Sequence, residues 1–304
     1  PGGGGGGRRA PPSTTHPSFD LTMPEGENAS GKVKVVVADL ANRGGVGFTY
    51  RLVVEPNAPS FDLSLGNWQV AVPRGGLALV PVSVTRTGYD GPIALDVRGL
   101  PSDSGLTFVT GSIPAGQERG LVALRAEEGG ASAEAGPQAW DLQVVGRGDD
   151  GKDVVATGTV VYAQQTMKVP GFGMSGTIPS YSRPTAVLTA APARPGPIRL
   201  VAGESRIVVP QGGSAEATLT IERTAGGKAY KLVALDPPKG LAAADVEIGA
   251  DAEKVAVVIT AEKDAPVGEA YLGLVAREGG ESRGPAPSVA AALIAVEIAP
   301  PPAE

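Results

Sequence analysis

The chain has 304 residues, among them 44 glycines, 28 prolines, one histidine and no cysteine, with a net charge of −6. Without cysteine it forms no disulfide, thiolate nucleophile or cysteine-ligated zinc site, and a single histidine leaves little from which to build a catalytic base. Lys and Arg are scattered among more numerous carboxylates, so the basic stripe that neutralises phosphates is missing and no nucleic-acid partner is expected.

Residues 1–17 join a hexaglycine, Gly2 to Gly7, to a Pro/Ser/Thr patch. Such a composition cannot bury enough apolar surface to offset its own ordering entropy, and it is expected to be a tail. A polyglycine becomes ordered where another backbone approaches it closely, as in a groove between chains. His16 belongs to this tail, so it is expected to be solvated; a catalytic base must be rigidly held. The chain opens at Pro1 and not at Met, which is expected of a mature product or of a fragment. No stretch reaches the roughly 20 apolar residues that span a bilayer, and the N-terminus lacks a signal-peptide pattern.

Within residues 18–67, Val33, Val35 and Val37, then Phe48, Tyr50, Leu52 and Val54, alternate at period two and predict the strands of a hairpin. A lone hairpin is marginal in water, so its edges are expected to be covered by the next module or by another chain. Gly2, Gly7, Val33, Val35 and Val37 are therefore candidate interaction residues. Trp68, at the junction with the next module, is another, as a domain-interface plug.

Residues 68–163 form the first module, with strands predicted over 69–72, 79–85, 93–97, 107–110, 120–126, 140–145 and 154–162. Seven short runs separated by Gly, Pro and Asp turns read as a β-sandwich. No helical period is sustained, and 131–135 make one helical turn at most. Residues 164–205 are broken by Pro170, Pro179, Pro184, Pro195 and Pro197 and read as a linker around one strand at 186–191. Its Gly171-Phe172-Gly173-Met174-Ser175-Gly176 lacks the Lys-Ser/Thr ending and the helix of a phosphate loop. The second module occupies 206–299, with strands near 207, 217–221, 230–235, 255–260, 271–276 and 290–298, before a tail at 300–304.

The second module repeats the first. Val72-Pro73-Arg74-Gly75-Gly76 returns 137 residues later as Val209-Pro210-Gln211-Gly212-Gly213, and Val82, Val84, Arg86 and Thr87 match Leu219, Ile221, Arg223 and Thr224. After a two-residue deletion, Gly105 and Leu106 match Gly240 and Leu241, and Leu124 matches Ile259. Trp140 is aligned with Tyr271 and expected to pack against a core or edge. Equivalent topology follows, with Val82 and Leu219, and Leu124 and Ile259, facing the same way. The fold class is all-β: tandem immunoglobulin-like β-sandwiches preceded by a β-hairpin or partial β-sandwich.

Asp149, Asp150 and Asp153 surround Gly151 and resemble a calcium loop superficially, but the distal glutamate and flanking helices of an EF-hand are missing. The expectation is a solvated hairpin turn, with a structural calcium as the alternative and no other cofactor. Trp68 and Trp140 are the two tryptophans, too few to favour a sugar platform.

Two family resemblances rest on these residues. Val33-Lys34-Val35-Val36-Val37-Ala38-Asp39, Arg43-Gly44-Gly45 and Phe48-Thr49-Tyr50-Arg51-Leu52 resemble the last two strands of bacterial pre-peptidase C-terminal domains, accessory β-sandwiches of secreted and surface proteins. The duplicated modules, with Pro73-Arg74-Gly75-Gly76, Gly91-Pro92-Ile93-Ala94-Leu95 and Gly99-Leu100-Pro101, are similar to immunoglobulin-like repeats of large bacterial surface proteins, notably of planctomycete type. The resemblance implies export and a non-catalytic role. The expected protein is a structural or adhesive one, secreted or on the cell surface. It would associate with itself or with other surface proteins, through strand or tail exchange, as part of a filament or layer. The alternatives are an accessory region of a larger secreted hydrolase and a carbohydrate-binding module.

Overall fold

Val80, Val82 and Val84 point into a core while Pro81 and Ser83 point away from it, and this period of two makes strands along the chain. The computed structural model describes residues 34–36, 44–47, 49, 51–54, 59–129, 138–161, 166–168, 175–177, 182–204, 206–224, 226–278 and 288–301. Two units divide the chain, Pro1–Ala58 and Pro59–Glu304. In the first, residues 34–36 and 51–54 hold no strand, and Val35, Val36, Leu52, Val53 and Val54 are exposed. The hairpin expected there is thus absent at these positions; a two-stranded ribbon alone buries too little to persist. Gly2, Gly7, His16, Val33 and Val37 lie outside the described residues.

The second unit holds both sandwiches. The first comprises β1 (Ser60–Leu65), β2 (Gln69–Pro73), β3 (Leu77–Thr87), β4 (Ile93–Arg98), β5 (Leu106–Ile113), β6 (Arg119–Ala126), β7 (Trp140–Arg147), β8 (Asp153–Val155), β9 (Gly158–Val161), β10 (Thr166–Lys168), β11 (Ser175–Thr177), β12 (Ser182–Thr185) and β13 (Leu188–Ala193). The second comprises β14 (Ile198–Ala202), β15 (Arg206–Pro210), β16 (Ser214–Arg223), β17 (Tyr230–Leu235), β18 (Leu241–Ala243), β19 (Val246–Ile248), β20 (Lys254–Ala261), β21 (Gly268–Glu278) and β22 (Ser288–Ala299). No helix occurs among the described residues.

The order β1-β3-β6-β5 makes one layer of the first sandwich, and β5 continues through β4-β7-β13-β2 into the other. In the second sandwich the same two layers are β14-β16-β20-β18 and β15-β22-β21-β17-β19. Each module changes layer near its start: β1 pairs antiparallel with β3, whereas β2 runs parallel to β13, and β14 and β15 repeat this with β16 and β22. This is the immunoglobulin-like arrangement. Both modules place the matched residues alike, since Val82, Leu219, Leu124 and Ile259 are all fully buried.

The repeat is longer than the motif match shows. β1 and β14 occupy the same place, with Leu63 opposite Val84 and Leu200 opposite Ile221. The Gly66 N–H donates to Pro81 O, as the Gly203 N–H donates to Thr218 O, at 2.9 and 3.0 Å. The span 164–205 is therefore not one linker: β13 closes the first sandwich, with Leu188 and Ala190 fully buried, and β14 opens the second. Sheet register also corrects the Trp140 alignment. Val97 pairs with Val144 and its counterpart Ala234 pairs with Leu274, which sets Trp140 against Ala270 and not Tyr271. Trp140 does pack on the first core.

In the second module β22 runs beside β21 as one strand with a single register shift, between Ala276 and Arg277, but in the first the closing strand is split into β8 and β13, both paired to β7. Between them the chain leaves as a ribbon. β9 pairs β12, β10 pairs β11, and four residues on each side separate the pair Val161–Ser182 from the pair Thr166–Thr177, so both ribbons share one register.

One core position breaks the pattern of apolar burial. Tyr230 stands where the first module has Ile93; it is 1% exposed and its hydroxyl has no hydrogen-bond partner among the described residues. An unsatisfied buried hydroxyl costs about 1–3 kcal/mol. Tyr230→Phe is expected to raise the unfolding free energy by about 1 kcal/mol; chemical denaturation that shows a loss of stability would contradict this.

Candidate functional surface

Among the described residues, the sequence-derived candidates Asp149, Asp150, Asp153 and Trp68 do not converge into a reactive site. Asp153 is engaged by Arg98 and Arg147, and hydrogen bonds from these two, Arg98 first, hold its carboxyl below the usual value. Asp150 accepts from the Lys152 N–H at 3.0 Å, and the Asp149 N–H donates to the Tyr89 hydroxyl at 3.0 Å. Among the described residues no group of three or more His, Asp or Glu side chains is placed to hold a metal ion. Trp68 lies half-buried between β1 and β2, where its carbonyl accepts from the Thr189 N–H at 2.8 Å. Residues 171–174 lie outside the described residues, and 175–177 are β11.

The most elaborated surface is the one the two sandwiches share. Along β6, residues 120–124 are all buried, and along β21 so are residues 272–276. A strand covered on one face alternates; a strand buried on both does not. Val122 and Leu124 fill the first core, while Leu79, Leu121 and Ala123 turn outward onto Val275 and Ala291. Gly273 makes room for them: a Cβ there would stand 2.6 Å from Leu121 Cδ1 and 2.7 Å from Leu79 Cδ1. The modules therefore pack sheet face on sheet face, the β3–β6 layer of one against the β17–β21–β22 layer of the other.

Polar ties surround this apolar patch. Gln117 is 2% exposed and grips the backbone of Lys239 at two points, Nε2 donating to its carbonyl at 3.1 Å and Oε1 accepting from its N–H at 2.7 Å. Arg199 Nη1 donates to Gly75 O at 3.2 Å while its Nε donates to Glu222 at 2.6 Å. Arg119 meets Asp236 at 3.0 Å. Asp236 has φ +42°, in the left-handed region where its counterpart Gly99 has φ +80°. The strain of a non-glycine residue there, about 1–2 kcal/mol, exceeds or matches what an exposed ion pair returns, about 0–1 kcal/mol. The aspartate thus sets orientation and adds no stability.

At the junction the two repeats differ. Leu79 and Leu121 correspond to Glu216 and Ala256, Gln117 to Ala252, and Val233 and Leu235 to Asp96 and Arg98. The faces turned away from the junction, carrying Glu216 on one module and Asp96 and Arg98 on the other, are exposed and charged. Nothing in the repeated motif signals this contact. Its signal is the loss of alternation in β6 and β21.

No protein-family description and no curated protein matches the sequence. Similar solved structures include fibronectin(III)-like modules of Clostridium thermocellum CbhA, at 11% identity over 78% of this chain and 94% of that one, with a TM-score of 0.21. Domains 4 and 5 of the S-layer protein SbsC match at 9% identity over 79% and 98%, with a TM-score of 0.24. The titin domains z1z2 in complex with telethonin match at 12% over 82% and 100%, with a TM-score of 0.21. At this level the likeness carries no reading of what the chain does.

Proposed function

We propose that this chain is a non-catalytic structural part of a secreted or cell-surface protein, in which the paired sandwiches act as a fixed spacer. The observation that supports this most is the junction itself: an apolar patch, a two-point amide clasp and an arginine tie hold one module against the other. Residues used only to join two modules serve geometry, not turnover. The resemblance of residues 24–56 to pre-peptidase C-terminal domains adds export to the reading. Assembly into a filament or layer through the N-terminal region rests on residues outside those described. Face-to-face stacking of further copies is disfavoured by the charged outer faces, since capping modules of stacked arrays are polar on the outside.

Antibodies raised against the chain should label intact producing cells or their medium. Labelling confined to permeabilised cells would overturn the surface assignment. Turnover of a protease or glycosidase substrate, abolished by changing a specific carboxylate pair, would overturn the non-catalytic one.

A further inference from the structure

The duplication allows each ionic contact to be compared with its counterpart in the other module. Arg147 of β7 is in direct register with Asp153 of β8, and its Nε and Nη2 both reach Asp153 Oδ1, at 2.9 and 2.7 Å. Arg277 holds the same place in β21, because Ala94 pairs with Arg147 as its counterpart Lys231 pairs with Arg277. The arginine is kept and the aspartate is not. Ser288 is in register with Arg277, and a register shift between Ala276 and Arg277 leaves Val289 next to it. Arg277 Nε is buried and has no hydrogen-bond partner among the described residues. A guanidinium left this way favours an incoming anionic acceptor of matching geometry.

Arg277 lines a groove of about 500 Å³ between the two modules. One wall is β2, with Gln69 and Ala71, and Asn67 just before it; the other carries Val275, Ala291 and Arg277, over Leu79. Among the described residues that line it, Arg277 is the only charged one. β2 ends its sheet, bonded to β13 on one side. Its other edge offers main-chain N–H and C=O groups to an added strand.

We propose that this groove binds an extended peptide segment bearing a carboxylate side chain. Its main chain adds to the free edge of β2, and its small apolar side chains settle against Val70, Leu79 and Val275. Its carboxylate takes the place beside Arg277 that Asp153 holds beside Arg147. A neutral or basic segment leaves Arg277 unpaired and is rejected.

The test is amide and arginine-side-chain NMR of the full chain titrated with acetyl-Ala-Val-Glu-Val-Ala-amide. The expected result is movement of the Gln69–Pro73 amide signals and of the Arg277 Nε–H signal, with the glutamine version of the peptide bound at least about tenfold more weakly, as loss of a charge-assisted pair implies. Arg277→Gln should remove the discrimination. Ser288→Asp, which puts a carboxylate in register with Arg277 as Asp153 is with Arg147, should abolish peptide binding while leaving the melting temperature at or above that of the parent. The proposal is overturned by unmoved β2 amides, by equal binding of the two peptides, or by binding unaffected in both variants. Sodium acetate that moves Arg277 as strongly as the peptide does, with β2 unmoved, would overturn the strand assignment.

Discussion

Leu79→Glu is expected to uncouple the two sandwiches and split their unfolding into two calorimetric transitions. Leu79 is 8% exposed and packs with Leu121 over Gly273, so a carboxylate at this position loses that packing and sets a charge against the apolar carbon of Leu121 and Val275. Losing a leucine from a core alone costs about 2–5 kcal/mol and desolvating the carboxylate adds to it, of which Arg277, lining the same groove, offsets only part. The modules escape that cost by separating, since each retains its own core. Glu216→Leu, at the same place in the second module, should leave the junction intact. A single transition for Leu79→Glu, with stability within about 0.5 kcal/mol of the parent, the range of an ordinary surface substitution, would contradict the account.

Arg86→Ala should be among the most destabilising changes within the first sandwich. Its guanidinium donates to four carbonyls, those of Gln117 at 2.9 Å, Gly91 at 2.7 Å, Pro114 at 3.0 Å and Tyr89 at 3.3 Å. Partial burial pulls its pKa down from the usual arginine value, against the attraction of Asp90. Two loops, β3–β4 and β5–β6, converge on this one side chain. Arg223, its repeat counterpart, donates to Lys228 O and Gly249 O, and its Nε has no partner among the described residues. Hydrogen bonds from a charged donor are worth about 1.5–3 kcal/mol each and do not add fully, so a loss of about 3 kcal/mol is expected for Arg86→Ala and about half that for Arg223→Ala. Arg86→Lys should not rescue, because a single ammonium cannot span the same carbonyls. Equal losses at both positions in chemical denaturation would show that the extra bonds at Arg86 contribute nothing.

Strand phase was legible wherever one face is buried and the other wet, as in Lys254–Ala261, whose residues alternate exposed and buried along the whole strand. The same alternation placed Leu124 and Ile259 correctly in their cores. What failed to show were boundaries and second contacts. β1 and β14 carry no Pro-Gly-Gly signature, and their repeat consists of Leu63-x-Leu65-Gly66 against Leu200-x-Ala202-Gly203, a pattern too sparse to stand out beside the motif after it. β13 was hidden because the sequence interrupts one closing strand with the ribbon from β9 to β12, so proline density masked a strand that belongs to the sheet. In the first unit residues 34–36 and 51–54 hold no strand despite the alternation read through them, since period two promises a strand only when a neighbour exists to bury one face. The junction was readable in principle from the unbroken apolar run Leu121-Val122-Ala123-Leu124, and Arg277 only by comparing the sheet registers of the two modules.

The central claim is that the two sandwiches form one rigid body. Because the chain has no cysteine, spin labels can be placed uniquely at Asp103→Cys in the first module and Lys263→Cys in the second, both exposed positions. Pulsed electron resonance should give a single narrow distance distribution that broadens when Leu79→Glu is added. A broad distribution in the parent, unchanged by Leu79→Glu, would contradict the claim.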